Sequence, residues 1–441
     1  MDTKTVAFPK VLIIGQYFDK RSGAGITMTN LFAGWDKNSI AVAGNNIVDP
    51  DFSVCENVYI LGNSEIVRDF PFNAGLADMS VSSGVLKIEP DKGDKTSKSN
   101  NSGSNHLTLK DKLMFLTGQI HRRRRFEVSK EFLQWVNEFS PDLIYSQLAS
   151  YELIMFVGKL GTLLNIPLAF HMMDDWPQTI NSSQKGIFKQ YWTKKIDHEL
   201  RSIFKRASCL MSISEAMSDE YKKRYGFTFA PFHNPIDSEN WMATSDKNYS
   251  RNGVFTLLYA GRIGVGLQNC LLEVADAVET LVHEGYVIEF HIQSTSKNLL
   301  LDKLKTFKSV KIRLPAMYSE LPEIFRNADT LLLPNDFDEN SVSFLRYSMP
   351  TKASEYMVSG TPVLVYSSSE TAVTKHALKY SWASVVSENS KEKLKNALID
   401  LYNQENLRKA IGMKAKEFAV ENYDAANVRK KFREALTLPK I

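Results

Sequence analysis

The chain has 441 residues, of which 43% are hydrophobic and 24% are charged, and its formal net charge is +4. This length exceeds one ordinary hydrophobic core and predicts two or three domains, while the composition is typical of a soluble globular protein. The small net charge argues against a nucleic-acid-binding protein, which would carry a larger or more clustered basic excess.

The sequence lacks the patterns of export, membrane insertion and cysteine chemistry. Its start, MDTKTVAFPK, is polar and contains a proline where a signal peptide has an apolar run. The longest apolar stretches, such as VLIIG and TLLLP, have the length of strands and not of membrane spans. Cys55, Cys209 and Cys270 are odd in number and far apart, so they predict neither disulfides nor a metal site. We therefore expect a cytoplasmic protein.

The first half alternates strand-like apolar runs with helical patterns, which predicts a parallel sheet built from βαβ units. A buried strand at 11–15 precedes the glycine-bearing turn Ser22-Gly23-Ala24-Gly25 and a helix that continues through Trp35. Further strands are predicted at 142–146, 167–171 and 209–214. Between them, the polar stretch PDKGDKTSKSNNSGSNH predicts a flexible insertion over about residues 88–108.

The second half repeats this plan. A strand is predicted at 255–260, a glycine-rich turn at 261–266 and an amphipathic helix at 269–283. Later strands are predicted at 287–293, 310–314, 330–333 and 362–366.

These patterns predict an α/β fold with two Rossmann-like, doubly wound domains. We assign residues 1–236 to the first domain, 237–253 to a linker and 254–420 to the second, with a C-terminal helix over 421–441 that packs back on the first domain. Parallel sheets of this kind bind ligands beyond the carboxyl ends of their strands. Two such domains in series therefore predict a central cleft that holds the substrate.

The strongest local signal is the run FTLLYAGRIGVG at 255–266. Its glycines allow a tight turn and a close approach of the backbone, and free amides at the following helix start favour a phosphate. Arg262 adds a guanidinium that can grip two phosphate oxygens, and Gly264 lies in the same turn. The spacing is GxxGxG and not the dinucleotide fingerprint GxGxxG, so an ordinary strand-to-helix turn with a surface arginine stays open.

A second signal is the run SMPTKASEYMVSGTPVL at 348–364. Pro350 suits a first helical position, which places the amides of Thr351 and Lys352 at a helix start. Glu355 follows one turn later, where its carboxylate can accept both hydroxyls of a ribose. The alternatives are that Glu355 only complements the helix dipole and that Lys352 is a solvated surface lysine.

Together with the segment His233-Asn-Pro-Ile-Asp237, these two runs resemble glycosyltransferase family 4. The resemblance implies the GT-B fold, transfer with retained anomeric configuration, and neither a metal nor another cofactor. It also implies that Arg262 binds the pyrophosphate and Glu355 the ribose of a UDP- or GDP-sugar. The loop with Gly23 and Gly25 would approach the donor phosphate or the acceptor from the other domain.

Two departures from the family pattern concern charge. The first glutamate of the usual pair is replaced by Tyr347, and the lysine expected after Arg262 is replaced by Leu267. We hypothesise that Lys352 supplies the missing cation. A branch of bacterial polysaccharide enzymes resembles this chain in carrying a Pro-Thr-Lys…Glu-Tyr element.

In the first half, His171 lies at the carboxyl end of a predicted strand, where family members often place a histidine near the transferred sugar. We expect His171 and Asp174 to be the catalytic residues; Asp174 or Asp175 would receive the acceptor proton or orient His171. A histidine satisfied within the core is the alternative.

The resulting hypothesis is a cytoplasmic hexosyltransferase that makes a cell-surface polysaccharide or glycolipid from a nucleotide-sugar donor and a lipid-linked or saccharide acceptor. The run Arg122, Arg123, Arg124 and Arg125 predicts either a solvated helix start or a peripheral contact with anionic lipid at the inner membrane face, ahead of a nucleic-acid contact. The rival functions are a nucleotide-sugar epimerase of the same fold and a non-catalytic nucleotide-sugar-binding subunit.

Overall fold

The computed structural model describes residues 8–20, 22–67, 81–86, 125–181, 186–242, 246–251, 253–264, 266–295 and 299–437. Its chain contacts divide it into two compact units: unit 1 comprises 1–212, 221–230 and 433–441, and unit 2 comprises 213–220 and 231–432. The predicted insertion over 88–108 and the residues Arg122, Arg123 and Arg124 lie outside the described residues. The predicted domain bounds stay a prediction.

The first of the sixteen strands that the structure describes, β1, is a fully buried apolar run. Nine further strands follow before residue 232. These ten strands are β1 Val11–Ile14, β2 Ile40–Gly44, β3 Asn57–Ile60, β4 Ile66–Val67, β5 Gly84–Val85, β6 Arg125–Phe126, β7 Leu143–Ser146, β8 Leu168–Met172, β9 Cys209–Ser212 and β10 Ala230–Pro231. The main sheet has the order β10-β9-β8-β7-β1-β2-β3-β5, whereas β4 and β6 form a separate antiparallel pair. From β9 to β3 every neighbouring pair is parallel, and the strand order reverses beside β1, as in a doubly wound sheet.

The helices that connect these strands are α1 Gly23–Phe32, α2 Lys130–Phe139, α3 Tyr151–Leu164, α4 Trp176–Thr179, α5 Gly186–Lys205 and α6 Glu215–Tyr225. Their starts follow from local side-chain chemistry, because Ser129 and Ser150 accept hydrogen bonds from backbone amides in the first turns of α2 and α3. Both helices end at residues in the left-handed conformation, Ser140 and Asn165.

Unit 2 contains a second doubly wound sheet. Its strands are β11 Phe255–Ala260, β12 Ile288–Gln293, β13 Val310–Arg313, β14 Thr330–Pro334, β15 Val363–Tyr366 and β16 Ser384–Val386. They are arranged in the order β13-β12-β11-β14-β15-β16, and all neighbouring pairs are parallel. This is the Rossmann order, and its reversal lies between β11 and β14. The predicted α/β fold with two Rossmann-like domains is confirmed.

The later helices are α7 Ser238–Met242, α8 Gln268–His283, α9 Leu299–Leu304, α10 Leu321–Asn327, α11 Glu339–Leu345, α12 Lys352–Val358, α13 Ala372–Tyr380, α14 Lys391–Asn403, α15 Glu405–Tyr423 and α16 Ala425–Leu436. In α8 the residues Leu271, Val274, Val278 and Leu281 recur at helical spacing and are buried in one cluster with β11 and β12. The helix predicted at 269–283 therefore packs its apolar face into the core of unit 2.

The predicted linker at 237–253 belongs to unit 2, and its described residues are bonded to the rest of that unit. Lys247 donates from its Nζ to the carbonyls of Arg326 and Ala328, at 2.8 Å each. Arg408, which is 3% exposed, donates to the carbonyl of Tyr249 at 2.7 Å. Because buried cations need acceptors, these carbonyls tie the described part of 246–251 to the body of the unit.

The C-terminal helix α16 begins beside the segment that follows Asn234. The amide of Ile236 donates to the carbonyl of Tyr423, and the amide of Ala425 donates to the carbonyl of Ile236. Farther along, the guanidinium of Arg433 lies 4.1 Å from the ring centroid of Phe8, and both residues belong to unit 1.

Among the helices that the structure describes, none combines the length and the apolarity that crossing a bilayer requires.

Candidate functional site

The candidate site lies at the carboxyl ends of β11 and β14 in unit 2. Ala260 is the last residue of β11, and Gly261 and Arg262 follow it directly. At this point the strand order reverses, and a doubly wound sheet binds its ligands where the order reverses. Every site residue that the sequence predicted in the second half lies in the turn after β11 or at the start of α12.

Gly261 and Lys352 are in direct contact. The ammonium of Lys352 lies 4.1 Å from the ring centroid of Tyr259, the last residue but one of β11. Gly261 has a φ of +149°, and a Cβ atom at this position would overlap Nζ of Lys352. Only glycine therefore lets the ammonium approach the backbone of the turn.

Helix α12 is attached to β11 by a tyrosine. The hydroxyl of Tyr356 accepts from the amide of Ala260 at 2.9 Å and donates to the carbonyl of the same residue at 3.1 Å. The hydroxyl of Tyr259 donates to the carbonyl of Arg262 at 2.8 Å. The guanidinium of Arg262 is exposed and makes no hydrogen bond or ion pair with any residue that the structure describes. It is therefore available to an anion.

Glu355 is a buried carboxylate on the same helix as Lys352. It is 7% exposed, and burial raises its pKa to about 7, against the opposing effects of a hydrogen bond from Tyr318 and of the charge of Lys352. The pKa of Lys352 is lowered to about 8, mainly by burial, an effect that the charge of Glu355 opposes. Near neutral pH, small changes in pH therefore alter the protonation of both Glu355 and Lys352.

The start of α12 is held by the segment 233–237, which is part of the family resemblance. Asn234 is fully buried, and its Nδ2 donates to the carbonyl of Thr351 at 3.3 Å. The hydroxyl of Ser354 donates in turn to the carbonyl of Asn234 at 3.0 Å. Thr351 is the N-cap residue and Lys352 the first helical residue, two positions later than the predicted helix start at Pro350.

The start of α8, where the sequence predicted free amides, is occupied by a carboxylate. Asp336, which follows β14, accepts from the amide of Gln268 at 3.0 Å and from that of Cys270 at 2.7 Å. Asp336 is 4% exposed, so these two amides are satisfied within the protein. Gly264 lies in the preceding turn, and a Cβ atom there would meet nothing within 4 Å. The expected phosphate contact with this helix start is therefore wrong for Gln268 and Cys270.

In unit 1, Gly23 and Gly25 open helix α1. The Ser22 hydroxyl accepts from the amide of Gly25 at 2.9 Å and donates to the Asp19 carboxylate at 2.6 Å. A Cβ atom on Gly25 would overlap that carboxylate, so Gly25 is required for packing. Gly23 is exposed, and the predicted contact of Gly23 and Gly25 with the donor or acceptor stays a prediction.

His171 and Asp174 follow from the end of β8. His171 is fully buried, and its Nδ1 lies 2.9 Å from the hydroxyl of Tyr145. This is the geometry expected of the core histidine that the sequence left as an alternative. Asp174 is half-buried. Its neighbour Asp175 is 2% exposed and pairs with both terminal nitrogens of Arg224, at 2.8 and 3.2 Å. The role expected of Asp174 or Asp175 stays a prediction.

In unit 2 the structure thus brings Lys352 of α12 against Gly261, which Arg262 follows in the turn after β11, with Glu355 on the same helix as Lys352. In unit 1, Gly23 and Gly25 lie in α1, whereas His171 and Asp174 lie at and after the end of β8. Sequence reasoning missed two residues. Asp336 could have been found as an acid directly after a buried strand. Tyr318 lies in a 3-10 turn, and no local pattern marks it as a partner of Glu355.

Solved structures with the same architecture cover nearly the whole chain. The Anabaena protein HepE, in complex with UDP and glucose, has 13% sequence identity and a TM-score of 0.59, over 97% of this chain and 99% of that one. Sucrose-phosphate synthase from Thermosynechococcus elongatus has 13% identity and a TM-score of 0.56, over 97% and 98% of the two chains. The chain has the GT-B fold.

A third structure of this fold, WaaG, is a glycosyltransferase involved in lipopolysaccharide biosynthesis; it has 14% identity and a TM-score of 0.55, over 97% of this chain and 100% of that one. No family model and no curated protein sequence matches the chain. Identities this low establish the fold alone, so the resemblance to glycosyltransferase family 4 stays a prediction.

Proposed function

We propose that the protein is a retaining glycosyltransferase that transfers a hexose from a nucleotide-diphosphate donor to a hydroxyl acceptor in the synthesis of a cell-surface polysaccharide or glycolipid. One observation carries the proposal. After β11, the exposed guanidinium of Arg262 follows a glycine against which the half-buried ammonium of Lys352 lies, and the buried carboxylate of Glu355 is on the same helix as that lysine.

Each of these groups has a part in binding the donor. Arg262 and Lys352 hold the diphosphate, and Glu355 accepts hydrogen bonds from the two ribose hydroxyls. When the glycosidic bond breaks, negative charge grows on the leaving diphosphate, and the two cations stabilise it. Lys352 supplies the second cation that the sequence lacks after Arg262. In this proposal, Gly264 in the turn after β11 and Thr351 at the start of α12 also contact the donor.

The donor is a UDP- or GDP-sugar. HepE, which shares the fold, is in complex with UDP-glucose in a further structure, and this supports a uridine nucleotide. We propose that transfer needs neither a metal nor an organic cofactor, so the activity should survive EDTA. Asp174 is the proposed acceptor of the proton in unit 1, with His171 beside the transferred sugar and the loop of Gly23 and Gly25 near the donor phosphate or the acceptor.

A thermal-shift screen tests the site. UDP-glucose, GDP-mannose and ADP-glucose are added to the wild type and to Glu355→Ala, and the ligand-dependent rise of the melting temperature is measured. One of the sugars should raise it by mass action in the wild type and fail in the variant. Glu392→Ala, on the exposed side of α14, is the matched control and should respond as the wild type does. An equal response of Glu355→Ala would overturn the assignment.

A second function is favoured by the burial of His171. A chain that binds the nucleotide-sugar without turnover needs no exposed histidine at this place, and it would tolerate the tyrosine at 347. Incubation of the donor that passes the screen with oligosaccharide and lipid-linked acceptors separates the two functions. A transferase forms a new glycosidic bond whose anomeric configuration matches the donor by NMR, whereas a binding subunit forms none.

A further inference from the structure

The turn after β11 has a backbone that is bonded at three consecutive residues. The amide of Ala260 donates to the Tyr356 hydroxyl at 2.9 Å, and this hydroxyl donates to the carbonyl of Ala260 at 3.1 Å. The amide of Gly261 donates to a carbonyl of β12 at 2.9 Å. The carbonyl of Arg262 accepts from the hydroxyl of Tyr259 at 2.8 Å. The point from which the Arg262 side chain leaves the backbone is therefore fixed.

Tyr259 contacts both cations of the candidate site. Its hydroxyl donates to the backbone of Arg262, and its ring centroid lies 4.1 Å from the ammonium of Lys352. Tyr259 is fully buried and belongs to the core cluster of unit 2, where close packing restricts a side chain to few rotamers. Burial also raises the pKa of Tyr259 well above its ordinary value, so the hydroxyl remains a donor near neutral pH.

We propose that Tyr259 is a positioning residue for the two diphosphate-binding cations: its hydroxyl fixes the backbone of Arg262, and its ring fixes the ammonium of Lys352. Both cations are then in place before the donor binds. This role rests on the proposed function, in which Arg262 and Lys352 hold the diphosphate. Groups that are already ordered lose less conformational entropy on binding, so the affinity for the diphosphate is higher than with unrestrained cations.

Each cation needs a different kind of restraint. Arg262 is exposed and has a long side chain with many rotamers, so a fixed backbone limits where its guanidinium can go. The ammonium of Lys352 is attracted to the face of the aromatic ring, and it reaches this position because Gly261 has no Cβ atom. The alternative role for the Tyr259 hydroxyl is structural: it would only satisfy a carbonyl and contribute to stability.

A double-mutant cycle separates the two roles, with UDP and GDP as probes in isothermal titration calorimetry. Tyr259→Phe keeps the ring and removes the hydroxyl, which should weaken binding of the nucleotide that the wild type prefers by about fivefold. Arg262→Ala keeps the backbone carbonyl but has no guanidinium to position. In that background Tyr259→Phe should change the affinity by less than about twofold, whereas a structural hydroxyl would give the same factor in both backgrounds.

A second cycle tests the ring. Tyr259→Leu also removes the surface on which the ammonium lies, and it should weaken binding by about a further threefold relative to Tyr259→Phe. This additional loss should disappear in the Lys352→Met background, where no ammonium remains. Should Tyr259→Leu fail to fold, the cycle with Tyr259→Phe decides the proposal.

The matched control is Tyr249→Phe. It removes a hydroxyl that donates to the carbonyl of Gly360 at 2.9 Å, beyond the other end of α12. It should lower the melting temperature about as much as Tyr259→Phe does and leave the nucleotide affinity within about twofold of the wild type.

The outcomes for the proposed function and for this role differ. A wild type that binds neither UDP nor GDP, or an Arg262→Ala variant that binds as tightly as the wild type, overturns both. If Arg262→Ala weakens binding but Tyr259→Phe binds like the wild type, or acts by the same factor in both backgrounds, the positioning role alone is overturned.

Discussion

At the scale of single residues, the chemistry depends on which groups are allowed to approach one another. Lys352 is a helix-start lysine that would extend into solvent in an isolated helix. In the protein its ammonium lies over Tyr259 and against Gly261, because the turn has no Cβ atom there. The same approach removes water from the ammonium, and this lowers its pKa to about 8.

The glycine at 261 is therefore expected to be required for donor binding. Gly261→Ala forces a side chain into a conformation with a φ of +149° and pushes the Lys352 ammonium away from the turn. We expect a loss of about 1–3 kcal/mol in the free energy of unfolding and a large loss of nucleotide-sugar affinity. Chemical denaturation and calorimetry measure the two effects.

The control for this substitution is Gly264→Ala in the same turn. A Cβ atom at Gly264 meets nothing within 4 Å, so the free energy of unfolding should change by less than about 1 kcal/mol. Equal destabilisation by the two alanines would show that the conformation of Gly261 has no special importance.

At the scale of secondary structure, elements are joined by side chains that come from distant parts of the chain. Asp336 caps α8 although it lies 66 residues from Cys270 in the sequence. Because a buried carboxylate takes the amides at 268 and 270, the helix dipole stabilises the protein's own charge at that point. In the proposed function, the donor's charge is therefore left to the side chains of Arg262 and Lys352.

A half-buried histidine, His376, joins α13 to α15. Nδ1 of His376 accepts from Nε1 of Trp382 at 2.8 Å, so the neutral ring carries its proton on Nε2, which lies 3.1 Å from the hydroxyl of Tyr423. Burial lowers the pKa of His376 from 6.5 to about 4. Between these values the unfolded chain binds more protons than the folded one, so stability is lost as pH falls through this window.

We expect this histidine to contribute about 2 kcal/mol to the loss of unfolding free energy between pH 6.5 and 4.5. Urea denaturation at the two pH values measures it. His376→Phe should be less stable at pH 6.5, because it leaves the Trp382 and Tyr423 groups without their acceptor and donor, but its own pH dependence should be smaller by that amount. His283→Gln, at an exposed position at the end of α8, should keep the wild-type slope. An unaltered slope in His376→Phe would refute the assignment.

At the scale of the whole molecule, the prediction of a membrane contact concerns residues 122–125, of which the structure describes Arg125. Arg125 is exposed, and its Nε lies 3.4 Å from the carboxylate of Glu127. Each basic residue near an anionic bilayer contributes about 1 kcal/mol, so four arginines are enough for reversible peripheral binding.

Replacement of Arg122, Arg123, Arg124 and Arg125 by serine should release the protein from vesicles that contain phosphatidylglycerol, as measured by co-sedimentation at low salt. The control replaces four exposed lysines of unit 2 by serine: Lys391, Lys393, Lys409 and Lys414. Binding that survives the arginine replacement, or that both replacements abolish equally, would contradict a specific contact.

Much of the fold could be predicted from the sequence because buried parallel strands are continuous apolar runs. The runs at 11–14, 255–260 and 330–334 are fully or almost fully buried, as their composition requires. Part of the site could be predicted for a related reason, since Arg262, Lys352 and Glu355 follow strand and helix boundaries that are visible in the sequence. The partners of these residues could not, because they depend on contacts between elements far apart in the chain.

By itself, the sequence determined two alternations of strands and helices, a glycine turn after β11, and the identity of the charged residues near it. Local propensity and hydrophobic periodicity are enough for these features, because they act within a few residues. Only the tertiary structure decided that Asp336 takes the amides of Gln268 and Cys270 and that Lys352 contacts Gly261. The physical reason is burial: packing removes these groups from water, and each polar group must then find its partner among whatever side chains the fold brings beside it.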